Sequence, residues 1–158
     1  MKALVVYYSK TGHTLETARD ITRGMEESGV TVTVRPAADV SAADVAGCDI
    51  FLVGSPTYGN TMYKAPAKAV AKLLDSLQPS ALSGKYAGAF SVMAGFGGQK
   101  IVTAIEARLS DLGATVVAGG PAVKAGVPLS LWTGPPAGKA DVEKCVGFGR
   151  RLAEAAAE

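Results

Sequence analysis

The chain is 158 residues long, 48% hydrophobic and 19% charged, with a formal net charge of +2. A length of this order suits one domain that buries ~70% of its unfolded surface, and the composition excludes a disordered segment. The charge is too small, and the lysines and arginines too scattered, for a nucleic-acid surface.

Residues 3–7 form a first apolar run of strand length. Leu15, Ala18, Thr22 and Met25 then recur at helical spacing. Residues 30–34 alternate valine with threonine, a second strand. A short helical piece at 42–46 leads to a third strand, 50–53, apolar throughout. Runs with no polar face suit strands buried on both sides of a parallel sheet. A helix is predicted over 65–77, with Pro66 tolerable in its first turn and Val70, Leu73, Leu74 and Leu77 on its buried side. Residues 86–93 read as a fourth strand. Ile101, Ile105, Leu109 and Leu112 line the next helix, and Gly113 stands where a C-terminal cap wants a left-handed residue. Residues 114–118 read as a fifth strand. The closing helix starts near residue 140, with Val142, Cys145, Val146, Leu152 and Ala153 on one face. Between these last two lies GVPLSLWTGPPAG, residues 126–138, an irregular surface excursion. Its Trp132 either packs over the sheet edge or reaches a ligand.

Five strands alternating with five helices predict an α/β fold, a parallel sheet covered on both faces, in one domain spanning 1–158. Cys48 and Cys145 lie far apart, outside any CxxC pair and within apolar patterns, so they read as buried thiols and not as a metal or dithiol site. The N-terminal apolar run is too short for a signal-peptide core, and no stretch approaches the ~20 apolar residues that span a bilayer. A cytoplasmic protein with no membrane segment is expected.

Ligands of open parallel sheets bind beyond the carboxyl ends of the strands, where strand order reverses. The loops there are SKTGHT (9–14), SPTYGNTMY (55–63) and MAGFGG (93–98), all poor in charge. In the first, Ser9, Thr11 and Thr14 offer hydroxyls, Gly12 permits a tight turn, Lys10 is close, and the helix behind presents unpaired N–H groups. That is a cradle for phosphate, or an ordinary strand-to-helix turn with a threonine cap. His13, the single histidine, has no evident carboxylate to orient it as a base. It donates to a phosphate or is simply exposed. In the second loop Pro56 fixes the backbone, Tyr58 offers a stacking face, with Tyr63 sharing or competing for that role, and Gly59 and Asn60 offer hydrogen bonds to a ring edge. The third, Met93, Ala94, Gly95, Phe96, Gly97 and Gly98, lets backbone approach a ring from the other side. A phosphate cradle between aromatic flanks points to a planar heteroaromatic monophosphate, FMN. No GxxxxGK[ST] motif occurs, and GFGRR at 147–151 lies inside the last helix pattern, so neither is a rival phosphate turn. A phospho-receiver would need acids where Tyr8, Ser9, Ser55 and Thr57 stand.

YYSKTGHTLETA resembles the phosphate loop of the flavodoxin family, roughly S/T-x-T-G-x-T. GSPTYGN is similar to that family's second flavin loop and to the GTPT…GN stretch of the related quinone reductases. SVMAGFGGQK resembles their third loop, and PPAGKADVEKCVGFGRRLA their last helix. The resemblance spans nearly the whole chain. It implies a flavodoxin-like three-layer sandwich with a five-stranded parallel sheet in the order 2-1-3-4-5. Ser9, Thr11, Gly12, His13 and Thr14 would hold the phosphate, while Thr57, Tyr58, Gly59 and Asn60 would border the flavin on one side and residues 94–98 on the other. No residue is singled out as catalytic.

Two functions share that cofactor: an electron carrier between partner proteins, and a NAD(P)H-dependent reductase of quinone or free flavin. The short length, with no added loop to build a nicotinamide site, favours the carrier, as a monomer or small homo-oligomer. Typical carriers of the resembled family are strongly acidic, and this chain departs from them. No acid occurs in 50–74 or 85–105, which hold two flavin loops. Without negative neighbours the anionic reduced flavin is penalised less, so a less depressed potential for the second electron is expected. Lys64, Lys68, Lys72 and Lys100 would ring the site with positive charge, which suits an acidic partner or a phosphorylated nicotinamide.

Overall fold

The computed structural model describes residues 1–10, 12–57, 65–93, 95–125 and 138–158. Its strands are β1 (Lys2–Tyr7), β2 (Thr31–Pro36), β3 (Ile50–Pro56), β4 (Tyr86–Met93), β5 (Thr115–Val116) and β6 (Ala122–Lys124). Its helices are α1 (His13–Glu27), α2 (Ala42–Ala46), α3 (Lys68–Ser76), α4 (Gly98–Asp111) and α5 (Lys139–Ala157). The sheet is parallel, in the order β2-β1-β3-β4-β5, with β6 also paired to β4.

Successive strand residues point to opposite faces, and here both faces are apolar. Leu4, Val6, Phe51 and Val53 pack with Val45 of α2, Val70 and Leu74 of α3, and Ile101 and Ile105 of α4. Ala3, Val5, Ile50 and Leu52 pack against Ile21 and Met25 of α1 and Phe148 and Leu152 of α5. The predicted buried sides of α3 and α4 are found as expected, and Gly113 follows α4 with φ +97°. Pro66 does not lie inside α3: that helix starts at Lys68 after an Ala67 N-cap.

The fifth strand differs from its predicted extent, 114–118. It is two short pieces, β5 and β6, on either side of Gly119, which turns left-handed at φ +83°. The ladder nonetheless resumes, because the Val117 N–H donates to the Ala87 carbonyl at 2.8 Å and the Ser91 N–H to the Pro121 carbonyl at 3.0 Å.

Candidate functional site

β1 has β2 on one side and β3 on the other, so the chain leaves β1 and β3 in opposite directions and opens a crevice between them. The Tyr8 N–H donates to the Gly54 carbonyl at 3.3 Å, and the Thr57 N–H donates to the Val92 carbonyl at 3.0 Å. The ends of β1, β3 and β4 are therefore tied side by side, bringing the three sequence loops to one edge. Of the predicted site residues, Thr11, Tyr58, Gly59, Asn60 and Ala94 lie outside the described residues, as do Tyr63, Lys64 and Trp132.

In the first loop Gly12 is the N-cap of α1, left-handed at φ +92°, with no side-chain cap hydrogen bond. Among the described residues a Cβ there would meet nothing within 4 Å, so glycine serves the backbone conformation and not close packing. The expected threonine cap is thus replaced by a glycine. The Gly12 N–H donates to Ser9 Oγ at 2.9 Å, which closes the loop on itself. The α1 ladder starts with the Glu16 N–H donating to the Gly12 carbonyl at 3.0 Å. The amides of His13, Thr14 and Leu15 therefore have no acceptor within the helix, and they carry the positive end of its dipole. Thr14 is buried and Lys10 exposed beside them.

His13 departs from the expectation of exposure and from that of no carboxylate nearby. It is buried, not exposed, and Glu16 does lie near it, with Oε2 3.4 Å from Nδ1. The His13 Nε2 is buried with no hydrogen-bond partner among the described residues, a donor or acceptor left for something the loop would hold. The His13–Glu16 pair carries a sequence signal that was missed, the i,i+3 spacing that makes helix residues neighbours.

The second loop is braced by Ser55, whose buried hydroxyl accepts the Ala67 N–H at 2.8 Å and donates to the Pro56 carbonyl at 3.0 Å. It pins the start of α3 to the end of β3, framing Pro56 and Thr57. Its signal was a lone hydroxyl ending an otherwise apolar strand. In the third loop Gly97 is the left-handed N-cap of α4 at φ +93°, and Met93 Sδ accepts the Gly98 N–H at 3.3 Å. Met93 thus closes that loop from within, while Gly95 and Phe96 are exposed, Phe96 by 71%.

An open left-handed turn, three amides with no acceptor inside the helix and an imidazole nitrogen without a partner among the described residues fit a phosphoester. A family profile described as flavodoxin matches residues 5–144. The flavodoxin of Maridesulfovibrio salexigens is 35% identical over 121 residues, covering 73% of this chain and 81% of that one. The flavodoxin of Megasphaera elsdenii is 32% identical over 113 residues, covering 72% and 80%. Among solved structures, a flavodoxin from the domain Archaea shares the fold over all of both chains, with a TM-score of 0.83 at 24% identity. Oxidised flavodoxin 2 from Bacillus cereus does so with a TM-score of 0.80 at 24% identity, over 98% of this chain and 99% of that one. These relatives lend nothing to the reductase alternative. By the profile and the sequence relatives together, the chain belongs to the flavodoxin family, the FMN-binding carriers of electrons.

Proposed function

We propose that this chain is a single-domain carrier that holds one FMN at the carboxyl edge of its sheet and passes electrons between redox proteins. When bound, FMN supplies the redox chemistry, and the chain supplies position and charge. The amides of His13, Thr14 and Leu15, the hydroxyls of Ser9, Thr11 and Thr14, and Lys10 hold the phosphate. The segment from Pro56 to Asn60, including Thr57, Tyr58 and Gly59, borders one side of the ring. Met93, Ala94, Gly95, Phe96, Gly97 and Gly98 border the other. The observation that carries this reading is the open, uncapped start of α1 at the switch point. The two free, buried cysteines support a reducing, cytoplasmic setting.

The test is direct. The purified protein, or its apoprotein soaked in FMN, acquires flavin absorbance and does not turn over NADPH with benzoquinone. A colourless preparation that stays colourless in FMN refutes the site, and rapid NADPH turnover refutes the carrier.

A further inference from the structure

We infer that the carboxyl edge of the sheet is a positively charged docking surface for an acidic redox protein, an inference that rests on the carrier reading and names its partner's chemistry. Lys10 follows β1, Lys68 opens α3, Lys100 lies in the first turn of α4, Lys124 ends β6 and Lys139 opens α5. All five are exposed and all belong to the end of the molecule where the flavin loops gather. None has a carboxylate within ion-pair distance among the described residues. Four arginines, by contrast, are matched: Arg23 pairs with Asp20, Arg35 with Asp44, Arg108 with Asp75 and Arg150 with Glu27, while Lys2, Arg19 and Lys72 also lack a carboxylate within ion-pair distance among the described residues.

The sequence adds no counter-charge at the edge, because 50–74, 85–105 and 112–140 contain no acid. The acids nearby are Glu16, held against His13, Asp39 after β2, and Asp141, 4.0 Å from Lys144. Folding does not explain the lysines. A helix N-terminus favours negative charge, yet α3 and α4 carry Lys68 and Lys100 in their first turns with no acid there. Their placement works against local stability and toward an external anion.

The apolar pattern agrees. Among the described residues three large hydrophobic side chains are exposed, and two of them, Tyr8 and Phe96, lie at this edge, the third being Met1. Aromatic residues inside a ring of charge are the anatomy of a protein–protein interface. Lysines spread over five chain segments match an extended acidic surface better than the single phosphate of a nicotinamide, and they repel a basic partner.

The probes are cytochrome b5, an acidic haem protein, and cytochrome c, a basic one. Flavin absorbance is recorded first, since its absence fails the carrier reading and not the surface. The FMN-loaded protein is titrated with each cytochrome at low and high salt, and Kd is read by NMR line shifts. The dithionite-reduced protein is then mixed with each ferric cytochrome, in which one haem iron takes one electron from the reduced flavin. Cytochrome b5 binds tighter at low salt and loses about tenfold or more in Kd and rate as salt rises. Lys68→Glu with Lys100→Glu transfers that preference to cytochrome c and leaves the flavin spectrum unchanged. Tighter binding of cytochrome c by the unaltered protein overturns the inference, as does cytochrome b5 binding indifferent to salt and to charge reversal. A double variant that keeps its cytochrome b5 affinity but is reduced more slowly by NADPH overturns it too.

Discussion

Thr14→Val isolates the phosphate cradle from the rest of the site. Thr14 is the second residue of α1 and only 2% exposed, so its space is enclosed and the branched valine fills it. The backbone amides of His13, Thr14 and Leu15 stay in place, and only the hydroxyl is lost. A hydrogen bond to a charged group contributes about 1.5–3 kcal/mol. At about 1.4 kcal/mol per factor of ten, FMN binding weakens by about 10- to 150-fold. Riboflavin has no phosphate, so its affinity for the variant is unchanged. The assay is quenching of flavin fluorescence as apoprotein is added to each flavin, and the readout is the ratio of the two Kd values. A melting curve of the apoprotein confirms that the variant folds. Equal losses for both flavins, or an unchanged ratio, refute the assignment of this turn to the phosphate.

Ser55→Ala makes the opposite pattern, because it removes the acceptor of the Ala67 N–H and leaves that buried donor unpaired, at about 1–3 kcal/mol. Apoprotein stability falls, and FMN and riboflavin weaken by the same factor, as two titrations and a melting curve will show. Gly24→Ala acts through α1 itself: a Cβ at Gly24 would stand 2.0 Å from the Val146 carbonyl oxygen, where ordinary contact starts at 3.4 Å. α1 and α5 must part by roughly 1.4 Å, and overpacking of this kind costs about 1–3 kcal/mol in urea unfolding. Gly147→Ala on α5 is the control, since its Cβ meets nothing within 4 Å and helix propensity alone adds about 0.5–1 kcal/mol. The thiols are silent to a disulfide reagent at pH 8 until the protein is denatured, when both react. Burial pushes Cys145 up to about 12 from 9.0, and Cys48 up as well. The folded state keeps the proton that the unfolded state releases, so this contribution to stability is full below pH 9 and fades between pH 9 and about 12.

The strands were legible because the sheet is buried on both faces: an apolar run such as 50–53 has no other soluble home than between two helical layers. β6 was not, because Ala122, Val123 and Lys124 are too few to show a period and follow Gly119, Gly120 and Pro121, which read as a turn. Only the neighbouring strand reveals the pairing, through bonds to Ala87 and Ser91 that no local pattern encodes. At the site, the open turn at Gly12 was legible from its glycine and hydroxyls. The burial of His13 was not, because a lone histidine at a helix start carries no burial signal.

The separation between what was legible and what was not has a physical origin that bears on function. The fold is specified by apolar side chains inside the layers, whereas the lysines at the carboxyl edge are exposed. Lys68, Lys100 and Lys124 are therefore free to vary without disturbing the packing that positions the FMN loops. The same packing supports an acidic or a basic rim, and the rim, through Coulomb interactions at encounter, selects the partner. Membership of the flavodoxin family follows from the part of the sequence that makes the core and the cradle. On the proposed docking surface, the sign of the partner would follow from a few exposed lysines. Reversing those lysines while leaving the cradle intact changes which protein receives the electron and not whether the chain can carry one.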